Sequence, residues 1–134
     1  LQTLDFTGSD FTKVTNWTSI ISGCSALTKV DLTNCKVRNG FQFDYFSGEI
    51  IYTGLDTSAM TDTSYLFTVS NGNNVDISSF DLSNVTDMSY TFNTNKSNSI
   101  ILGNVDTSNV TNMSYMFQSC TNITDLDLSG IDVS

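Results

Sequence analysis

"SNVTDMSYTF" spans residues 83–92 and "SNVTNMSYMF" spans residues 108–117; the two agree at eight of ten positions and lie 25 residues apart. Such identity means either a motif used twice or one unit stacked on itself. The rest of the chain decides between them. An element of the form apolar-x-apolar followed by a small residue recurs six times: "LDFT" from Leu4, "VDLT" from Val30, "IIYT" from Ile50, "VDIS" from Val75, "IILG" from Ile100 and "LDLS" from Leu126. The offsets are 26, 20, 25, 25 and 26 residues. Five residues after each first apolar position stand Ser9, Cys35, Leu55, Phe80, Val105 and Ile131, and Asp follows each of the last four, as Asp56, Asp81, Asp106 and Asp132. A unit of this length cannot bury its apolar face alone, so the period predicts coils that cover one another.

Within the quoted stretch, Val85, Met88 and Phe92 fall at i, i+3 and i+7, as do Val110, Met113 and Phe117. Val14, Trp17 and Ile21 keep the pattern, and Met60, Thr63 and Phe67 keep it with one polar substitution. That spacing predicts an apolar stripe on a short helix. Thr15, Thr61, Thr86 and Thr111 stand where they would cap its first turn. The preceding element alternates as a strand does, with its first and third residues inward.

Bulk composition narrows the function. The chain has 134 residues, 5 Lys+Arg against 14 Asp+Glu and a net charge of −9. Phosphate backbones and anionic lipid both call for a basic surface, so nucleic-acid and membrane-surface binding are disfavoured. There is no Pro and no His, which removes the commonest general base and a leading zinc ligand. No apolar run approaches the length of a membrane span. The pattern is already under way at Leu1 and still running at Ser134, so the segment is expected to belong to a longer array.

"FDLSNVTDMSYTF" (80–92) and "VDTSNVTNMSYMFQSCTNITDLDLSGIDVS" (105–134) closely resemble the 25- to 26-residue repeat of BspA-like leucine-rich repeat surface proteins. The running pattern of that family is L-D-L-S-x-F-D-T-S-x-V-T-x-M-x-x-M-F-x-x-C-x-x-L. The resemblance is strong over residues 75–134, fair over 1–35 and 50–70, and absent over 36–49. It implies a bacterial cell-surface or secreted protein of many repeats, tied to adhesion or host interaction. Period and resemblance together lead to an α/β repeat solenoid. Its expected form is a leucine-rich-repeat-like right-handed coil of about five repeats over residues 1–134, with a parallel sheet on one face and short helical turns on the other.

Stacked strands would align their outward residues in columns about 4.8 Å apart. The flanking columns are Thr3, Lys29, Glu49, Asn74, Ser99, Asp125 and Thr7, Thr33, Thr53, Ser78, Gly103, Ser129. The middle column is Asp5, Asp31, Ile51, Asp76, Ile101 and Asp127, acidic with two apolar interruptions, and it is either a ligand patch or a solvated face. The segment from Cys35 to Ile50 breaks the pattern and gathers Phe41, Phe43, Tyr45 and Phe46 beside Lys36 and Arg38. It either fills the core in place of the missing motif or binds a partner. The candidate ligand-binding residues are therefore Lys36, Arg38, Phe41, Phe43, Tyr45, Ile51, Ile101, Asp5, Asp31, Asp76 and Asp127.

The column Asp56, Asp81, Asp106, Asp132 suits calcium or, more simply, carboxylates that accept amides of their own turns. No metal or other cofactor is expected. Cys24, Cys35 and Cys120 show no plausible pairing and read as free, small buried residues. The sequons at Asn16, Asn84, Asn109 and Asn122 follow from the repeated "NVT" and carry little weight. No nucleophile stands with a base, so no enzymatic activity is expected. The leading expectation is an adhesion module for a protein or glycan on host or neighbouring cells, beside flanking repeats of the same chain. The alternatives are a passive spacer and, more remotely, ice binding by a Thr-x-Asp-x-Thr array.

Overall fold

A three-residue strand makes too few hydrogen bonds to stand alone, so each apolar-x-apolar element needs a partner one period away. The computed structural model, which describes residues 1–42, 46–68 and 74–132, contains that pairing. Its strands are β1 (Thr3–Asp5), β2 (Lys29–Asp31), β3 (Lys36–Arg38), β4 (Glu49–Ile51), β5 (Asp56–Ala59), β6 (Val75–Asp76), β7 (Ser99–Ile101) and β8 (Asp125–Asp127). β1, β2 and β4 pair in parallel and align Leu4, Val30 and Ile50. β6, β7 and β8 do the same for Val75, Ile100 and Leu126. β3 and β5 form a third, irregular parallel pair, joining Lys36 to Asp56 and Arg38 to Ala59. Single bridges at Asp10–Lys36, Asp62–Asp87 and Asp87–Asn112 carry the stacking further round the coil.

The expected α/β solenoid with helical turns is corrected here. No helix occurs among the described residues; the chain is a stack of coils joined by short parallel strands in small sheets. The reason lies in where the amides point. From the quoted stretch, Met88, Tyr90, Phe92 and Thr94 donate their N–H groups to the carbonyls of Asn112, Ser114, Met116 and Gln118 on the next coil, at 2.8–3.0 Å. The intervening Thr91, Asn93 and Asn95 close tight turns onto Met88, Tyr90 and Phe92. An α-helix would send every one of these amides four residues back and leave none for the neighbouring coil. Tyr90 and Thr94 also have φ of 57° and 55°, and Tyr65, Tyr115 and Ser119 lie at 58–63°. A right-handed helix does not accommodate left-handed residues. The threonines expected as helix caps instead tie coils together: Thr86 and Thr111 donate both N–H and Oγ1 to the carbonyls of Thr61 and Thr86.

The i, i+3, i+7 residues still face inward, because successive tight turns return to the same side. Val85, Met88 and Phe92 are buried, and Val110, Met113 and Phe117 pack half-buried against them. Phe67, Phe92 and Phe117 stack in a column, 5.6 and 5.5 Å apart with interplanar angles of 5° and 2°. Burying one such side chain contributes about 2–3 kcal/mol.

Asp-x-Ser/Thr marks the corners. Asp76, Asp81 and Asp87 each accept the N–H of the residue two places on (Ser78, Ser83, Ser89) at 2.9, 3.0 and 2.7 Å. An Asp side chain mimics a backbone turn in this way, which is why it recurs at bends of the path.

Between the third and fourth coils the sheet parts. β4 pairs with β2 and β6 with β7, but no Cα of β4 lies within 8 Å of a Cα of β6. Tyr52 fills the breach. Where other coils carry Phe6, Leu32, Ile77 and Leu102, its ring meets those of Phe67 and Phe80 at 6.1 and 5.5 Å, and its hydroxyl accepts the Asp76 N–H at 2.8 Å.

Candidate binding surfaces

Three surfaces follow from this frame. The first is the sheet face. Asp5 lies beside Asp31, and Asp76 beside Ile101 beside Asp127, as the column predicts. Ile51 lies beside Asp31 but is cut off from Asp76 by the parted sheet. The acidic residues are committed locally: Thr7, Thr33, Ser78 and Ser129 donate their N–H groups to Asp5, Asp31, Asp76 and Asp127 at 2.9–3.0 Å. Hydrogen bonds from Thr7, Thr33 and Ser129, side-chain as well as backbone, hold the Asp5, Asp31 and Asp127 carboxyls below the usual aspartate range. The column Asp56, Asp81, Asp106 is bonded in the same manner, with Ser58, Ser83 and Ser108 donating both N–H and Oγ. The turn reading accounts for these carboxylates. No group of three or more His, Cys, Asp or Glu side chains suited to a metal occurs among the described residues.

The second surface is the irregular segment. Lys36 is exposed on β3, and Arg38 donates from Nη1 to the Thr12 carbonyl at 3.3 Å. Phe41 belongs to the core, 6% exposed, its ring edge-on to Trp17 at 4.7 Å; Phe46 is also buried. So Phe41 substitutes for the missing motif and offers no surface to a ligand. Phe43 and Tyr45 lie outside the described residues. The interior beneath Tyr52, lined also by Leu32, Phe41 and Met60, leaves a void of about 20 Å³, room for one water and no organic ligand.

The third surface escaped sequence reasoning. Tyr65, Tyr90 and Tyr115 form an outward row, stacked at 4.9 Å with interplanar angles of 7° and 20°. Tyr65 is 46% and Tyr115 57% exposed. Asp62, Asp87 and Asn112 run along one side, with Asn112 Nδ2 donating to Asp87 at 3.0 Å; Asn93 and Gln118, bonded to each other at 3.0 Å, run along the other. Desolvation, together with the flanking tyrosines, pushes the Tyr90 phenol up. The signal was present in the sequence: Tyr recurs at the same 25-residue offset as Phe, two residues before it.

The cysteines tie coils together. Cys35 and Cys120 direct Sγ at the carbonyls of Phe6 and Phe92, each at 2.9 Å, and burial pushes both thiols up. Cys24, expected to be buried, is exposed; all three are free. The sequon amides are likewise occupied, with Asn84, Asn109 and Asn122 donating to the carbonyls of Ser58, Ser83 and Lys96.

No curated protein and no solved structure matches the chain. Residues 35–134 match one family model, so the chain belongs to the family described as "Mycoplasma protein of unknown function, DUF285".

Proposed function

We propose that this chain is a non-enzymatic interaction module, displayed at a cell surface or secreted, that binds a protein or glycan of another cell. The observation that carries the reading is the tyrosine row. Tyr supplies a large, rigid, amphipathic contact at low entropic cost, and Ser and Asn beside it supply adaptable hydrogen bonds, as in antibody paratopes. Three stacked rings, the outer two exposed, with Asp87, Asn93 and Gln118 nearby, combine rigid aromatic area with polar side chains in this way. The resemblance to BspA-like surface repeats agrees with it, and flanking repeats of the same chain would extend the row. Net charge −9 favours partners that are neutral or basic.

The test is binding of the purified chain to cell-surface glycan and matrix-protein arrays, wild type against Tyr65→Asn/Tyr90→Asn/Tyr115→Asn. Asn tolerates the left-handed backbone at these positions, so the variant should keep its melting transition. Loss of roughly tenfold or more in affinity supports the row as the site. Equal binding by both removes it, and binding by neither leaves the spacer as the better reading.

A further inference from the structure

The parted sheet offers a second surface, independent of the tyrosine row. In three of the four regular strand pairs the N–H after the first strand bonds across to the next coil: Phe6 to Asp31, Leu32 to Ile51, and Ile77 to Ile101, at 2.7–2.9 Å. The equivalent bond from the Tyr52 N–H to the Asp76 carbonyl is missing, and the Asp76 N–H turns to the Tyr52 hydroxyl instead. The two edges lie more than 8 Å apart, against about 4.8 Å for paired strands. Strands separated by one intervening strand, β1 and β4 or β6 and β8, are likewise more than 8 Å apart. Elsewhere the same coils remain in contact, through Thr57 on Asp81 and the bridge from Asp62 to Asp87, so the breach is a wedge that opens outward. A groove of about 440 Å³ lies there, lined by Ile51, Tyr52, Asp76 and Ser78 among others.

We propose that this groove takes an extended peptide as an added strand between β4 and β6. Strand addition draws affinity from main-chain bonds and selectivity from alternate side chains. The main-chain groups are the Tyr52 N–H and the Asp76 carbonyl. The Asp76 N–H joins them once a peptide carbonyl displaces the Tyr52 hydroxyl. Side chains pointing inward meet Ile50 and the Tyr52 ring at the groove wall, with no deeper cavity beneath, and should be small and apolar. Those pointing outward meet Ile51, with Asp31 beside it and Asp76 across the groove, on a chain of net charge −9, and should carry Lys or Arg. The partner is thus a basic, alternating extended segment of another protein.

The experiment uses fluorescence anisotropy with a short labelled peptide alternating lysine and valine, its N-methylated counterpart, and a glutamate–valine control. Binding of the first is expected to weaken with salt. N-methylation should weaken it roughly tenfold or more, equivalent to about 1.4 kcal/mol. The glutamate control should fail. Asp76→Lys, at an exposed position, should reduce affinity comparably while the chain stays folded, the lost turn bond from Ser78 lowering Tm only modestly. The Tyr52 amide should become protected from hydrogen exchange in the complex. Equal binding by the N-methylated peptide, indifference to Asp76→Lys, or no binding at all overturns the proposal. So does concentration-dependent self-association abolished by Asp76→Lys, which would make a second copy the occupant. None of these results bears on the tyrosine row.

Discussion

The hydroxyl of Thr57 spans two coils, donating to the Asp81 carbonyl at 3.0 Å and accepting the Asp81 N–H at 2.9 Å. Thr107 makes the same pair of bonds to Asp132, at 3.3 and 2.8 Å. Both threonines are buried, so each hydroxyl stands in for a strand's own amide and carbonyl where the ladder is absent. Thr57→Val keeps shape and volume but strands both groups of Asp81. It should cost about 1–3 kcal/mol, and Thr57→Ser markedly less, by urea denaturation. Equal stability of Val and Thr would show that the hydroxyl bridge contributes nothing.

Thr94 tests the helix-free geometry directly. It is a β-branched residue at φ 55°, and its Oγ1 is buried without a partner. Thr94→Gly removes backbone strain and loses no side-chain hydrogen bond, so it should stabilise by about 1 kcal/mol. In a helix the same change would destabilise by a similar amount. The sign of the shift in Tm therefore separates the two backbones.

Acid should weaken the corners. Hydrogen bonds from Ser58, Ser89 and Ser108 hold the carboxyls of Asp56, Asp87 and Asp106 below the ordinary aspartate value. A carboxyl lowered in the folded state stabilises it fully above the unfolded value, and that contribution is lost as pH falls through the folded one. Thermal stability should thus be level near neutrality and decline below about pH 4. Asp56→Asn/Asp87→Asn/Asp106→Asn keeps the acceptor oxygens and should flatten that decline.

Thiol accessibility should divide the cysteines. Cys24 is exposed, whereas Cys35 is buried, and both Cys35 and Cys120 point Sγ at a carbonyl. One thiol should react promptly with a disulfide reagent under native conditions. Cys35 should react only when the chain opens, and Cys24→Ser should abolish the prompt phase.

Much of this architecture was written in the period. The repeat of Val75 at Ile100 fixes which strands pair, and Val85, Met88 and Phe92 are core as their recurrence requires. The helix was misjudged because three inward residues at i, i+3 and i+7 are what a helix and a run of tight turns both produce. Side-chain spacing does not reveal where the amides go. Ser89-Tyr90 was passed over for a related reason: Tyr between two core positions reads as part of a stripe, and only the left-handed backbone at Tyr90 turns it outward. Ile51 and Ile101, expected in one column, stand on strands of two separate sheets. Their separation depends on Tyr52, whose size and hydroxyl act across coils and leave no local pattern.

Alternate commitment of amides to the neighbouring coil also bears on how such a chain changes length. Copying one whole period supplies every new donor with its acceptor, so growth by duplication needs no redesign. Losing a single residue swaps the amides that face the neighbour with those that face the turn. The pairing offset falls from 26 residues between β1 and β2 to 20 between β2 and β4, and the sheet parts at the next step. Inheritance in this lineage should therefore run in rungs, with fractional ones surviving where an aromatic ring has moved in to brace the opening.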